Sequence, residues 1–266
     1  MTSSIRAAVV ADPGGTLLAL DFDGTLAPIV HDPTKAYAHP ASVDALARLG
    51  QVLGQVAVIT GRPVRQALEL GGFEGRPGLE RLVIYGQYGA EHWDAAHGVR
   101  SEPDRPEAID RLAEQLPAWL AEHGAEGVRI EDKGLAIALH VRGVGSALLD
   151  ALEAPVAELA AGLGLTVEPG RQVVELRSPG PDKGKVLRHL ALALGARQVI
   201  FGGDDLGDLP AFDAVETLRS EGVGGFLICS ASTEQDALVA RADAVLDGPE
   251  AVAVWLTELA DELVPA

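Results

Sequence analysis

The stretch Asp21-Phe22-Asp23-Gly24-Thr25 comes directly after an apolar run, Leu17–Leu20. A short run that is apolar on both faces is typical of a strand in a parallel sheet that helices cover on each side. Gly24 allows the backbone to turn with positive φ after the strand ends. A nucleophile and a proton donor could therefore face one reacting atom beyond this strand. Taken alone, the motif is as well explained by an aspartate that caps an ordinary strand-to-helix turn.

The same pattern recurs further along the chain. Four more apolar runs end in small or polar residues: Val56–Ile59, Leu82–Tyr85, Gln198–Phe201 and Gly225–Ile228. Segments with helical periodicity accompany them: Ser42–Leu49, Pro63–Leu70, Lys183–Leu194 and Pro249–Val264. Alternating strands and helices predict an α/β fold, a doubly wound, Rossmann-like parallel sheet.

The middle of the chain follows a different order, α-β-β-α-β-β. The predicted elements are helix Pro106–His123, strands Gly127–Glu131 and Leu135–Arg142, helix Gly145–Gly162, and strands Leu165–Glu168 and Gln172–Leu176. This order predicts an antiparallel sheet with two helices on one face, inserted as an α+β cap domain. We expect a catalytic core over 1–100 and 178–266 and a cap over 101–177, since Pro, Gly and charged residues mark both junctions.

Three further polar clusters follow predicted strands or begin a helix. Thr60-Gly61-Arg62 places a hydroxyl and backbone N–H groups at a helix start, which is an anion-binding arrangement. Lys183 stands in the first turn of a helix, where the positive end of the helix dipole repels its charge. This position is better explained if the lysine binds an anion. Asp204, Asp205 and Asp208 repel one another unless a cation holds them, and oxygen ligands select a hard ion such as Mg²⁺. A capping Thr, a solvated Lys and an acidic turn are the plainer alternatives for each cluster alone.

Composition narrows the class of function. The chain has 266 residues, a formal net charge of −18 and one cysteine. The negative charge argues against a general nucleic-acid or anionic-membrane binder, and no apolar run is long enough to span a bilayer. The first fifteen residues do not resemble a signal peptide. We therefore expect a cytoplasmic, monomeric protein that acts on a small molecule.

Taken in order, these four clusters resemble the motifs of the haloacid dehalogenase superfamily of phosphatases. Asp21-Phe22-Asp23-Gly24-Thr25 matches the first motif, Thr60 the second and Lys183 the third. Gly203-Asp204-Asp205 with Asp208 matches the fourth. The spacing leaves room for a cap between the second and third motifs, where the larger caps of the superfamily are inserted.

Within this superfamily, nearly the whole chain is similar to the trehalose-6-phosphate phosphatase family. The matching segments are Asp21–Ile29, Thr60–Arg62, Gly86–Glu91, Glu131–Gly134, Ala138–Arg142 and Val174–Arg177. Two departures stand out: the family often has His where this chain has Tyr88, and usually shows Thr-Asp-Glu-Asp where this chain has Gly207-Asp208-Leu209-Pro210. The cap segments favour this family, because the core motifs serve many substrates.

The resemblance implies a reaction and a role for each matched residue. Asp21 would attack phosphorus, Asp23 would act as acid and then base, and Thr60 and Lys183 would bind the phosphoryl oxygens. Mg²⁺ would be held by Asp21, the main-chain carbonyl of Asp23 and Asp204, with Asp205 and Asp208 orienting its waters. The sugar phosphate would be bound by a further set of residues: Thr25, Gly61, Arg62, Glu131, Lys133, His140, Arg142 and Glu175.

The sequence leaves three other functions to be considered. A phosphatase for another sugar phosphate, such as a sucrose- or mannosylglycerate-type precursor, would keep the core motifs. A phosphotransferase would pass the phosphoryl group to a sugar instead of water. A non-catalytic module would have lost the nucleophile, the lysine or the metal aspartates, and none of these is missing.

Overall fold

The computed structural model describes residues 3–101, 103–141, 146–170, 173–231 and 236–264. The predicted substrate-binding residue Arg142 lies outside the described residues, as do Gly145 and Gln172, each the first residue of a predicted element. The described chain forms two compact units, Met1–Glu102 with Pro181–Ala266, and Pro103–Gly180. None of its helices is both long and apolar enough to be a candidate membrane span.

The first unit is built on one eight-stranded sheet. Its strands are β1 (Thr16–Leu20), β2 (Gln55–Ile59), β3 (Val83–Gly86), β4 (Glu91–Asp94), β5 (Val99–Ser101), β10 (Gln198–Gly203), β11 (Gly224–Ser230) and β12 (Ala244–Leu246). The spatial order is β12-β11-β10-β1-β2-β3-β4-β5. Pairs from β12 to β3 are parallel, whereas β4 and β5 are antiparallel. The predicted parallel α/β sheet is confirmed, and the antiparallel edge is an addition that the apolar runs did not indicate.

Helices cover both faces of this sheet. They are α1 (Ser3–Ala11), α2 (Pro40–Leu49), α3 (Val64–Gly71), α6 (Lys183–Leu194), α7 (Leu209–Ser220), α8 (Asp236–Val239) and α9 (Gly248–Leu263). Strand β1 is buried along its whole length and supplies both layers alternately. Leu18 and Leu20 pack into one apolar cluster with α2, α3 and α9, while Leu17 and Ala19 pack into the other with α6 and α7. Two-sided burial is the reason that β1 is a continuous apolar run.

The second unit is an antiparallel sheet with two helices. Its elements are α4 (Glu107–Glu122), β6 (Arg129–Asp132), β7 (Ala136–His140), α5 (Ser146–Gly162), β8 (Thr166–Gly170) and β9 (Val173–Arg177), and its strand order is β6-β7-β9-β8. One face of the sheet, including Ile137, Leu139 and Leu176, packs with residues of α4 and α5 into an apolar core. Alternation along each strand therefore leaves the polar side chains on the opposite face.

Candidate active site

Strand β1 ends at the centre of the parallel sheet, where the chain later crosses to either side. Its neighbours are β2 and β10, so the loops after these three strands begin at one edge. In open α/β sheets this crevice outside the carboxyl ends of the strands is where ligands bind. Asp21 follows β1, Thr60 follows β2, and Asp204 and Asp205 follow β10. Lys183 opens α6, whose side-chain cap is Asp182.

A buried lysine joins two of these loops. The Lys183 Nζ atom lies 2.7 Å from Asp21 Oδ1 and 2.7 Å from Asp208 Oδ1. All three residues are buried, and Asp208 is fully enclosed. Asp208 Oδ2 also accepts hydrogen bonds from the backbone N–H groups of Asp204 and Asp205, at 2.9 and 3.2 Å. Asp208 thus ties the lysine to the loop after β10.

Burial and the surplus of carboxylates over cations raise the pKa values of the aspartates in this cluster. Burial raises the pKa of Asp21 well above its usual value, with Lys183 opposing and Asp208 adding to the rise. Burial and the neighbouring aspartates likewise raise the pKa of Asp204, and the pKa of Asp205 is raised to about 6. Burial alone would lower the pKa of Lys183, but the carboxylates of Asp208 and Asp21 outweigh it and raise that pKa well above its usual value.

The same cluster offers a set of oxygen ligands. One carboxylate oxygen each from Asp21, Asp204 and Asp208 lie within 4.8 Å of one another. A Cβ at residue 24 would collide with the Asp204 carboxylate, so a glycine is required there for the close approach of the two loops. Buried carboxylates with one ammonium between them fit a hard divalent cation such as Mg²⁺, which takes oxygen ligands and offsets their repulsion.

Asp23 has a different partner from Asp21. Its two carboxylate oxygens accept hydrogen bonds from Arg62 Nε and Nη2, each at 2.6 Å. This is a bidentate arginine–carboxylate pair, the geometry that fixes both groups most firmly. Arg62, which sequence analysis assigned to the substrate, is buried and contacts Asp23.

The remaining predicted residues of the core unit occupy defined places. Thr60 Oγ1 accepts a hydrogen bond from the Arg62 backbone N–H at 3.1 Å. Gly61 lies against the Tyr88 ring. Thr25 is fully buried, and its Oγ1 is a buried oxygen with no hydrogen-bond partner among the described residues.

Four of the predicted substrate-binding residues lie together in the second unit: Glu131, Lys133, His140 and Glu175. Glu131, Ala138 and Glu175 are register partners across β6, β7 and β9, so their side chains share one face. His140 Nε2 lies 2.6 Å from Glu131 Oε2, and Lys133 Nζ lies 2.6 Å from Glu175 Oε2. The hydrogen bond from His140 lowers the pKa of Glu131. This face therefore presents two pairs, each of one acidic and one basic side chain.

Two contacts with the site were not foreseen from the sequence. Ser230, the last residue of β11, donates a hydrogen bond from Oγ to the Gly24 carbonyl at 2.6 Å. Tyr88 follows β3, and its ring centroid lies 6.0 Å from Lys183 Nζ. Ser230 ends a parallel strand and Tyr88 follows one, at the same sheet edge as Asp21. A polar or aromatic residue at the end of each strand was therefore the signal that could have identified them.

The fold indicates the class of proteins to which the chain is similar. Solved haloacid dehalogenase-like hydrolases share the fold of the chain. The sequence model of the family described as trehalose-phosphatase matches residues 19–242. The chain belongs to the trehalose-phosphatase family, as its sequence resemblance indicated.

Individual relatives agree with this family assignment. The trehalose-phosphate phosphatase of Mycobacterium leprae is 32% identical over 255 residues, covering 91% of this chain and 57% of that protein. An uncharacterized glycosyl hydrolase of Mycobacterium tuberculosis is 36% identical over 257 residues, covering 93% of this chain and 18% of that protein. The C-terminal domain of the C. albicans trehalose-6-phosphate phosphatase superposes with a TM-score of 0.75 at 18% identity, covering 98% of this chain and 97% of that domain. The chain thus spans little more than half of one curated relative and under a fifth of the other.

Proposed function

We propose that the chain hydrolyses trehalose 6-phosphate to trehalose and inorganic phosphate, through an aspartyl-phosphate on Asp21. The observation that carries the proposal is the buried contact of Lys183 with Asp21 and Asp208 beyond the end of β1. A cation beside the nucleophile suits phosphoryl transfer, where catalysis consists mostly of positioning and charge stabilisation. The names of the mycobacterial relatives support the choice of substrate.

In the first half-reaction a carboxylate oxygen of Asp21 attacks phosphorus. The bond between phosphorus and the sugar oxygen breaks, and Asp23 gives a proton to that oxygen as trehalose leaves. Thr60 and Lys183 bind the equatorial oxygens, on which negative charge spreads in the transition state. In the second half-reaction water attacks phosphorus, Asp23 takes its proton, and the bond between phosphorus and Asp21 breaks to release phosphate.

The pair between Arg62 and Asp23 sets a condition on this sequence of steps. Both carboxylate oxygens of Asp23 accept N–H groups of Arg62, so Arg62 orients the group that would act first as the acid and then as the base. To act as the acid, Asp23 must carry a proton on one of these oxygens. A carboxyl group has about four lone-pair positions and Arg62 occupies two of them, so this proton would use one of the other two.

Mg²⁺ is part of the proposal. Asp21, the main-chain carbonyl of Asp23 and Asp204 would hold the ion, and Asp205 and Asp208 would orient its waters. A bound Mg²⁺ supplies charge neutralisation for the phosphoryl oxygens and keeps the Asp21 carboxylate ionised. The backbone and Lys183 contacts of Asp208 favour a supporting role for that residue over direct ligation.

We assign sugar recognition to the second unit. Glu131, Lys133, His140 and Glu175 are charged or polar groups on one sheet face, suited to directional hydrogen bonds with sugar hydroxyls. Four residues complete the predicted set on sequence grounds: Arg142, Thr25, Gly61 and Arg62. A site whose polar groups pair with substrate hydroxyls rejects a ligand that lacks them, because buried groups are then left unpaired. A monomeric state and a cytoplasmic location stay predictions.

Phosphate release across a panel of phosphomonoesters tests this function. The panel contains trehalose 6-phosphate, sucrose 6-phosphate, glucose 6-phosphate and p-nitrophenyl phosphate, each with Mg²⁺ or with a chelator. We expect trehalose 6-phosphate to have the highest kcat/KM and the chelator to remove activity on every ester. A higher kcat/KM for sucrose 6-phosphate would assign the chain to another sugar phosphate, and turnover unchanged by the chelator would contradict the role of Mg²⁺.

A further inference from the structure

Two successive residues after β3 have a left-handed backbone. Gln87 has φ 45° and Tyr88 has φ 60°, and they are the non-glycine residues with positive φ in the described chain. This conformation brings the side chain close to the following carbonyl oxygen, so L-residues adopt it only where their surroundings hold them in it. Such residues cluster at functional sites, and these two invite the question of what holds them.

The loop that carries Thr60 holds this backbone. The Gln87 N–H donates to the Arg62 carbonyl at 2.9 Å, and the Tyr88 N–H donates to the Thr60 carbonyl at 2.9 Å. Both bonds depend on the two N–H groups pointing the same way, which successive left-handed residues allow. The strained turn is therefore one half of a clamp, and the Thr60–Arg62 loop is the other half.

Buried side chains fasten the same clamp from behind. Gln87 Nε2 donates to Glu91 Oε1 at 2.7 Å, and Glu91 Oε2 accepts the backbone N–H of Val64 at 2.6 Å. Val64 is the first residue of α3, so Glu91 satisfies an N–H that has no partner within the helix. The loop with Thr60 is thus tied at its start, at its end and at the helix that follows it.

The Tyr88 ring lies among three loops of the site. A Cβ at residue 61 would lie 3.0 Å from Tyr88 Cζ and Oη, and a Cβ at residue 207 would lie 3.6 Å from Tyr88 Cε1. The ring centroid is 6.0 Å from Lys183 Nζ, within reach of a cation–π interaction. The ring therefore spaces the loop after β2 from the loop after β10 and borders the ammonium of Lys183.

We infer that Tyr88 is a positioning residue for phosphoryl transfer: its left-handed backbone holds Thr60, and its ring holds Lys183 and Gly61 in place. The inference rests on the proposed chemistry of Thr60 and Lys183, and it does not depend on which alcohol leaves. Loss of the ring should therefore affect every phosphomonoester to the same degree.

Two substitutions separate the ring from the backbone. Tyr88→Asn removes the ring and keeps a residue that tolerates positive φ, whereas Tyr88→Phe keeps the ring and removes only the hydroxyl. We expect Tyr88→Asn to lower kcat/KM at least tenfold, equally for trehalose 6-phosphate and p-nitrophenyl phosphate, with a melting temperature within a few degrees of wild type. Tyr88→Phe should stay within about threefold of wild type. Tyr37→Asn, the same change at an exposed tyrosine, should leave both rates unaltered.

The readouts distinguish this inference from a purely structural role and from the proposed function. Wild-type kcat/KM in Tyr88→Asn, or a loss that Tyr88→Phe shares in full, would overturn the positioning role of the ring. A loss confined to trehalose 6-phosphate would overturn it too, since that pattern belongs to sugar recognition. If wild type hydrolyses only p-nitrophenyl phosphate and Tyr88→Asn slows that reaction, the inference holds and the sugar substrate is wrong.

Discussion

The charged side chains of the two units are organised in opposite ways. In the first unit one ammonium, Lys183, lies 2.7 Å from Asp21 and 2.7 Å from Asp208, with Asp204 and Asp205 close by. On the polar sheet face of the second unit, each acid has its own base. Lys133 pairs with Glu175 at 2.6 Å, and His140 pairs with Glu131 at 2.6 Å.

This difference indicates what each cluster can bind. The cluster in the first unit has surplus negative charge in a buried place, and a divalent cation with a phosphoryl group would complete it. The face in the second unit is close to neutral and rich in directional donors and acceptors, which suits an uncharged sugar. Charge balance thus distinguishes the cluster that we propose for catalysis from the face that we propose for sugar recognition.

The largest expected effect comes from removing the nucleophile. Asp21→Asn should lower phosphate release by at least about a thousandfold, because the amide cannot form the covalent intermediate. The fold should survive, since Asn has nearly the same shape. Asp44→Asn changes an exposed acid on α2 that pairs with Arg76; it is the matched control and should keep full activity. Substantial turnover by Asp21→Asn would assign the nucleophile elsewhere.

The next largest effect is expected from removing one carboxylate from the buried cluster of the first unit. Asp204→Asn should slow turnover roughly a hundredfold and abolish the rise in melting temperature that saturating Mg²⁺ gives wild type, a stabilisation of about 2.7 kcal/mol at a hundred times Kd. Differential scanning fluorimetry with and without Mg²⁺ measures this. Asp213→Asn, at an exposed acid on α7 paired with Arg241, should keep the Mg²⁺ response. An equal response in both variants would remove Asp204 from the metal site.

Removing an acid from the polar sheet face of the second unit should alter the choice of substrate and leave phosphoryl transfer intact. Glu131→Ala and Glu175→Ala should each lower the preference for trehalose 6-phosphate over glucose 6-phosphate by about ten- to a hundredfold, with hydrolysis of p-nitrophenyl phosphate nearly unchanged. Ratios of kcat/KM measure the effect. Asp132→Ala is the control, because this acid pairs with Arg105. Unchanged selectivity in both glutamate variants would argue that this face does not read the sugar.

The smallest effect is a pH dependence of metal binding. The pKa of Asp205 is raised to about 6, and the pKa values of Asp21 and Asp204 are also raised. A raised carboxyl pKa stabilises the folded state at low pH, and this contribution is lost as the pH rises through about 6. Mg²⁺ competes with these protons, so its stabilising effect should grow from pH 5 to pH 7. A Mg²⁺ response that is constant over this range would show that these carboxyls do not take part.

Much of the fold was predictable because strands that are buried on both faces appear in the sequence as continuous apolar runs. Strand β1 and helix α6 were predicted within a residue of their ends, since an apolar run ends in Asp21 and a capping Asp182 precedes Lys183. The antiparallel strands β4 and β5 were missed because they are short, at four and three residues; β5 is the edge strand, and β4 beside it alternates buried and half-buried residues. An edge strand needs no two-sided apolar run, so the signal used for the other strands is absent there.

The sequence indicated that Asp21, Lys183 and Asp204 would lie near one another, but it did not indicate their individual contacts. The motifs named Asp21, Lys183 and Asp204 because each follows a strand or opens a helix at the same sheet edge. No pattern in the sequence indicated that Arg62 would donate two hydrogen bonds to Asp23, or that Tyr88 would adopt positive φ. Both depend on how two loops distant in sequence approach each other, which spacing along one segment does not encode.

The covalent state of Asp21 during turnover tests the account most directly. The enzyme would be mixed with excess trehalose 6-phosphate and Mg²⁺, quenched in acid, where acyl phosphates survive, and digested for mass spectrometry. We predict that the peptide containing Asp21 gains the mass of one phosphoryl group, and that Asp21→Asn shows no such gain. Phosphate released at full rate while that peptide stays unmodified, or a phosphoryl group found on another residue, would contradict the account.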